Sequence, residues 1–127
     1  MARLRARLDR DAVVLESVVT GGRGVALLAG TVLVAAAAEK RVTVRLTVDS
    51  WRSYVDVPAA EVPSGRPGTH LFAFDVAPDA AGGGGVGGPG GGVEFAVKYE
   101  YRAHNDADWT ERWDNNDARN YAMSATW

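Results

Sequence analysis

The sequence predicts an all-β fold of antiparallel strands, arranged as a sandwich or a barrel. Two observations predict it: apolar and polar residues alternate with a period of two, and turn-forming stretches separate these runs. No long helical period lies between the runs, which argues against an α/β fold. The 127 residues fit one domain, and a hydrophobic fraction of 46% suffices for one core.

Residues 41–49 and 93–102 show the clearest alternation. The apolar residues that share one face are Val42, Val44, Leu46 and Val48 in the first run, and Val93, Phe95, Val97, Tyr99 and Tyr101 in the second. Because successive strand side chains point to opposite faces, each run is predicted to be a half-buried strand.

Weaker strand signals surround these two runs, at residues 12–19, 26–34, 69–76 and 119–127. Gly30 interrupts the second of them, which predicts a bulge or a close approach of another part of the chain. In the last of them, one face carries Tyr121, Met123, Ala125 and Trp127. Turn-forming residues at 20–24 and 62–68 separate the runs.

The domain is expected to span residues 12–127, after an arginine-rich N-terminal arm at residues 1–11. Residues 82–92 form a glycine-rich segment. A phosphate-binding loop would end in Lys and Ser or Thr and lead into a helix, whereas this segment leads into a strand. It is therefore predicted to be a hairpin connection, whose entropy cost rises only slowly with length.

Charge and composition narrow the classes of partner. The formal net charge of -2 argues against nucleic acid, because such domains usually carry a basic surplus. The chain has no cysteine for disulfides or thiolate metal sites. No apolar run approaches the roughly 18 residues of a membrane span, and no apolar segment follows the arginines as in a secretory signal. We expect a cytoplasmic protein without a membrane partner.

Residues for catalysis or metal binding do not form a convincing set. His70 and His104 are far apart and lack ligand spacing. The acidic residues of the C-terminal part fall on a stretch predicted to be a solvated loop rather than an acid/base pair: Asp106, Asp108, Glu111, Asp114 and Asp117. A calcium loop starting at Asp114 would need Gly and Glu where Arg119 and Ala125 stand. We therefore expect no enzyme activity, cofactor or metal.

The segment WDNNDARNY, residues 113–121, is the most unusual feature. It places three asparagines, two aspartates and two aromatic residues within nine positions. An asparagine amide both donates and accepts hydrogen bonds, as sugar hydroxyls require, and an indole offers a flat apolar face to the C–H groups of a pyranose. Trp51 and Tyr54 form a second aromatic candidate. For each tryptophan, core packing is the competing interpretation, and composition alone favours it.

Three motifs in order resemble the family-21 carbohydrate-binding modules, especially those of glycogen-targeting subunits of protein phosphatase 1. The motifs are EKRVTVRLTVDSWRSYVDVPA, then VEFAVKYE, then WDNNDARNY, and VVLES and GTVLV precede them. The resemblance covers about residues 13–123. It implies an immunoglobulin-like antiparallel β-sandwich that binds glycogen, starch or a related α-glucan without catalysis. A glycogen-associated location would follow.

The resemblance also implies roles for individual residues. Trp51 and Trp113 match aromatic sugar platforms, and Asn115 and Asn120 match asparagines that hydrogen-bond the sugar. Lys40 matches a polar contact beside the sugar. Asp114 and Tyr121 are expected to hold the loop in shape.

The chain departs from the family pattern at several positions. Ala35 and Ala38 stand where many members carry an asparagine and an aromatic of a second sugar site, which predicts a weakened or absent second site. Ala96 stands where some members have an aromatic, and Arg119 where the loop usually has a small residue.

The resemblance implies the catalytic subunit of protein phosphatase 1 as a partner, and glycogen synthase as a substrate docked through the WDNN region. The short docking motif for the phosphatase has a basic, a hydrophobic and an aromatic residue, and neither KRVTV nor GGVEF completes it. Two alternatives stay open: a module that binds only proteins through the WDNN region, and a starch-binding appendage of an amylolytic enzyme.

Overall fold

The structure is a computed structural model that describes most of the chain: residues 8, 10–21, 27–64, 69–76, 92–103, 107–115 and 120–124. Several features of the sequence lie outside these residues, namely the glycine-rich segment up to residue 91, most of the N-terminal arm, His104, Asp106, Asp117, Arg119, Ala125 and Trp127.

The described residues form nine strands. They are β1 (Val13–Gly21), β2 (Leu27–Ala35), β3 (Glu39–Thr47), β4 (Val55–Pro58), β5 (Ala60–Val62), β6 (Thr69–Val76), β7 (Gly92–Arg102), β8 (Thr110–Asp114) and β9 (Tyr121–Ser124). One sheet has the order β1-β2-β6-β5 and the other the order β4-β3-β7-β8, with β9 also paired to β7. The pairings are antiparallel. These strand orders follow the immunoglobulin pattern, which confirms the predicted sandwich.

The core lies between the two sheets and is built by the inward-facing apolar side chains. On β3 they are Val42, Val44 and Leu46, as the alternation predicted. The rings of Phe74 and Phe95 meet between the sheets with centroids 6.1 Å apart. Buried Tyr99 donates its hydroxyl hydrogen to the carbonyl oxygen of Ala35 at 2.6 Å. Burial of this hydroxyl raises the pKa of Tyr99, because the phenolate would lose its hydration.

Gly30 lies where two other parts of the chain come close, which confirms the second of the two predictions for this position. A Cβ at this residue would lie 2.6 Å from the Ser17 carbonyl oxygen and 2.8 Å from Cζ of Phe74. The bulge lies in the neighbouring strand, where the β1–β2 register shifts between Leu15 and Ser17.

Part of the N-terminal arm packs against the sandwich. Leu8 is buried in a small second cluster with Val14, Leu33 and partly buried Leu71. Leu8 has helical backbone conformation, and its carbonyl oxygen accepts the Ala12 N–H at 2.8 Å.

Three short strands were missed, because each is too short for a clear alternation: β4, β5 and β8. The prediction of a solvated loop is wrong for Thr110–Asp114, which form β8 with Asp114 buried. No helix within the described part of the chain is long and apolar enough to cross a membrane.

Candidate functional site

Strand pairing along one side of β7 is interrupted beside Ala96, where the WDNNDARNY segment connects β8 to β9. β8 pairs with β7 up to the pair Val97–Asp114, and β9 resumes pairing with β7 at Phe95–Tyr121. The two strands thus follow one another along the same side of β7, and the pairing is interrupted beside Ala96.

Hydrogen bonds to the buried carboxylate of Asp114 join the end of β8 to the start of β9 and to β1. The carboxylate of Asp114 accepts the Tyr121 hydroxyl at 2.5 Å and the Leu15 backbone N–H at 2.6 Å through Oδ2. Asp114 is only 4% exposed, so these bonds satisfy a carboxylate that water hardly reaches. These bonds support the expected role of Asp114 and Tyr121 in holding the loop in shape, which stays a prediction.

Four of the predicted site residues meet in one concavity of about 230 Å³ on the surface. The residues that line it are Arg45, Trp51, Ala96, Trp113, Asn115 and Asn120. Trp51 and Trp113 are partly exposed, and neither belongs to the buried core. The interpretation that they pack in the core is therefore wrong.

A tight turn after β3 positions Trp51. The Thr47 hydroxyl accepts the Trp51 backbone N–H at 3.1 Å and donates to the carboxylate of Asp49 at 2.8 Å. This carboxylate also accepts the N–H and the hydroxyl of Ser53. These bonds, first of all the Ser53 hydroxyl, lower the pKa of Asp49 to about 2.

Two residues of the concavity have left-handed backbone conformation. Trp51 has a φ of 70° and Asn120 a φ of 58°. Asparagine tolerates this region, whereas a bulky tryptophan adopts it only when the surrounding bonds require it. Such strain often occurs at binding sites, where it aims a side chain that a relaxed turn would direct elsewhere.

Each indole N–H of the concavity is bonded to a carboxylate. Nε1 of Trp51 donates to Glu94 at 3.2 Å, and Nε1 of Trp113 donates to Glu111 at 2.7 Å. The bonds hold the rings by their edges and leave the ring faces for other contacts. The sequence placed Glu111 only among the acidic residues of a predicted solvated loop and did not single out Glu94, because nothing in their spacing tells which side chain an indole will reach.

Arg45 lines the concavity, and its role there was not predicted from the sequence. Its Nε and Nη2 donate to the two carboxylate oxygens of Asp56 at 2.8 and 3.0 Å. This bond raises the pKa of Arg45 and lowers that of Asp56. The guanidinium carbon lies 5.3 Å from the Trp113 ring centroid, and the small side chain of Ala96 on the intervening strand leaves room for this approach.

Lys40 is the predicted site residue that does not join this group. It lies toward the other end of β3, and its position in the alternation turns it toward the second sheet, away from the face of Arg45. Its ammonium nitrogen donates to the Ala37 carbonyl oxygen at 3.2 Å and lies 3.8 Å from the Glu61 carboxylate. A role of Lys40 at the concavity has no geometric basis.

The second-site positions lie near Lys40, also away from the concavity. Ala35 ends β2, and its carbonyl oxygen accepts the Tyr99 hydroxyl. Ala38 is exposed just before β3. Neither alanine offers a ring or an amide to a ligand, so the expectation of a weakened second site stays a prediction.

The concavity combines two aromatic rings, two amides and one guanidinium. Flat apolar surface beside neutral donors and acceptors suits a ligand with apolar C–H faces and many hydroxyls. Within the described residues, no group of three or more His, Cys, Asp or Glu residues could hold a metal ion. The nearby carboxylates serve the scaffold, since Glu111 binds an indole and Asp114 binds β1 and Tyr121.

Comparisons with known proteins agree with this chemistry. Residues 7–124 match the model of the carbohydrate/starch-binding module, family 21. The chain is 37% identical over 121 residues to protein phosphatase 1 regulatory subunit 3E of Homo sapiens, covering 93% of this chain and 37% of that protein. It is also 37% identical over 101 residues to GLC7-interacting protein 2 of Saccharomyces cerevisiae, covering 76% of this chain and 18% of that protein. The chain thus spans well under half the length of these relatives.

A solved structure is similar over nearly the whole chain. It is the solution structure of the carbohydrate binding module of the muscle glycogen-targeting subunit of protein phosphatase-1. The TM-score is 0.70 at 27% sequence identity, and the match covers 98% of this chain and 83% of that one.

Proposed function

The chain belongs to the family-21 carbohydrate-binding modules, and on this basis we propose that it is a non-catalytic module that binds glycogen or a related α-glucan. The observation that carries the proposal is the meeting of Trp51, Trp113, Asn115 and Asn120 around one concavity. In the proposed complex the two indoles stack on glucosyl C–H faces, and the asparagine amides exchange hydrogen bonds with hydroxyls.

One such site gives weak binding to a short oligosaccharide, because flat stacking buries little surface and both partners lose freedom on association. Glycogen offers many chain ends close together. A protein that leaves one end therefore rebinds another before it diffuses away, and retention rises without new contacts. The proposed module acts as a tether rather than as a tight receptor.

The tether is proposed to bring protein phosphatase 1 to glycogen and to glycogen-metabolising enzymes. The support is the similarity to human regulatory subunits 3E and 3B, which are 37% and 35% identical to this chain. A bound phosphatase would meet glycogen-bound substrates at a high effective concentration. Pull-down of the catalytic subunit of protein phosphatase 1 by this chain tests the phosphatase part separately from sugar binding.

Docking of glycogen synthase through the WDNN region is a further part of the proposal, as is a cytoplasmic, glycogen-associated location. Trp113 and Asn115 are partly exposed at the rim, within reach of a protein as well as of a sugar. If both ligands use this surface, maltoheptaose reduces the binding of glycogen synthase. Synthase binding that is insensitive to maltoheptaose would place the protein contact elsewhere.

Co-sedimentation of the purified chain with glycogen tests the sugar function directly. The proposal expects the folded chain to sediment with glycogen and not with cellulose, a β-glucan whose chain has a different shape. Soluble maltoheptaose should release it. A folded chain that stays in solution with glycogen would instead favour the module that binds only proteins.

A further inference from the structure

One exposed aromatic residue adjoins the concavity without lining it. Tyr54 lies just before β4 and is 51% exposed. Among the described residues, the other large hydrophobic side chain with such exposure is Val19, on β1 in the opposite sheet. Single exposed apolar residues are common on protein surfaces. What distinguishes Tyr54 is therefore its contact with Arg45, a residue of the concavity, rather than its exposure.

The guanidinium of Arg45, a residue that lines the concavity, lies over the Tyr54 ring. The guanidinium carbon lies 4.2 Å from the Tyr54 ring centroid and 5.3 Å from that of Trp113. The Arg45 guanidinium thus lies close both to Trp113, which lines the concavity, and to Tyr54, which does not. A ligand that covers Trp113 and continues across Arg45 reaches Tyr54 next.

The cation between the two rings is held in place. Arg45 and Asp56 face each other across β3 and β4, and two hydrogen bonds join the guanidinium to the carboxylate. These bonds hold the guanidinium that lies over the Tyr54 ring. A ring that is ordered before binding costs little conformational entropy when a ligand stacks on it, since tyrosine has only two side-chain torsions.

We propose that Tyr54, supported by Arg45 and Asp56, forms an additional glucosyl-binding subsite that extends the concavity across β3 toward β4. The occupant is a further stretch of the same α-glucan chain that binds at Trp113. The inference rests on the proposed sugar function and adds to it a preference for longer glucan segments. The subsite is an open platform, so it serves the glucosyl units that extend beyond those held at Trp51 and Trp113.

Calorimetric titration with maltotriose and maltoheptaose tests the subsite. Tyr54→Ala should weaken maltoheptaose binding about threefold to tenfold, the range expected for one aromatic contact, and leave maltotriose binding unchanged. Tyr54→Phe keeps the flat ring and should bind both sugars like the wild type. Tyr54→Leu keeps apolar bulk without a flat ring and should behave like Tyr54→Ala, which separates stacking from simple surface burial.

Two results would overturn the subsite while leaving the proposed function intact. Tyr54→Ala and Tyr54→Leu could bind maltoheptaose like the wild type, or they could lose maltotriose and maltoheptaose equally, which would make Tyr54 a part of the concavity itself. A wild-type chain that binds neither sugar would overturn the proposed function and the subsite together. Thermal unfolding of each variant checks that the exposed substitutions leave the fold intact.

Discussion

The backbone N–H of Asn120 donates a 2.6 Å hydrogen bond to the carbonyl oxygen of Asn115. The bond joins the residue after β8 to the residue before β9, so two asparagines that are five positions apart become neighbours. Both line the concavity with Trp51 and Trp113. The two asparagines of the proposed glucan site are therefore joined through their backbones, and Asp114 and Tyr121, which flank them in the sequence, are joined by a side-chain hydrogen bond.

Removal of the Asp114 carboxylate should destabilise the whole domain. Asp114→Ala deprives the Leu15 N–H and the Tyr121 hydroxyl of their acceptor, and a loss of about 3 kcal/mol in the free energy of unfolding is expected. Tyr121→Phe removes only one of these bonds and should cost about 1 kcal/mol. Urea unfolding measures both. If Asp114→Ala has the same urea midpoint of unfolding as the wild type, the hydrogen bonds of Asp114 to Leu15 and Tyr121 do not stabilise the domain.

The turn that carries Trp51 should weaken in acid because of Asp49. The pKa of this carboxyl is about 2 in the folded protein, below the ordinary value of 3.8, so the folded state favours the ionised form. Its stabilising contribution is therefore present above about pH 4 and is lost as the pH falls toward about 2.

Asp49→Asn is the matched variant, because it keeps the shape of the side chain and removes its charge. The wild type should be more stable than this variant above about pH 4, and the difference should shrink toward about pH 2. Urea unfolding at several pH values measures this difference. A difference in the free energy of unfolding that stays constant from about pH 4 to about pH 2 would contradict the lowered pKa of Asp49.

Glu111 should affect sugar binding through the orientation of Trp113. Glu111→Ala removes the acceptor of the indole N–H, so the ring must be ordered when a sugar binds. Ordering one side chain costs about 0.5–1.5 kcal/mol, which predicts maltoheptaose binding about threefold to tenfold weaker. Glu111→Gln still offers an acceptor oxygen and should lose less. Wild-type affinity in Glu111→Ala would show that other contacts of the ring, such as Arg45, suffice to hold it.

The sandwich was predictable because its core strands alternate regularly. Val42, Val44 and Leu46 are buried as their spacing requires, and Gly30 stands at a close approach. The short strand β8 could not be predicted, since its residues TERWD are polar and show no alternation. It forms because the long neighbour β7 offers a hydrogen-bonding edge, a tertiary effect that local sequence does not contain.

The rings, the amides and the supporting residues Asp114 and Tyr121 of the candidate site could be named from the sequence, but Arg45 and the carboxylates that hold the indoles could not. Trp113, Asn115 and Asn120 belong to one conspicuous segment, and resemblance linked them to Trp51. Arg45 looked like an ordinary polar residue of an alternating strand. Its place in the concavity depends on the small Ala96 beside it and on Asp56 from the next strand. Lys40 was assigned by resemblance, and the alternation of β3 turns it away from the site.

The most direct test compares two tryptophans that lie near each other in the sequence. Trp113 lines the concavity, whereas Trp109 lies outside it with its ring centroid 4.3 Å from the guanidinium carbon of Arg41 and 4.6 Å from that of Arg102. Co-sedimentation with glycogen should be lost in Trp113→Ala and kept in Trp109→Ala, with both variants folded by thermal unfolding. Equal binding of glycogen by the two folded variants would contradict the assignment of the concavity as the glucan site.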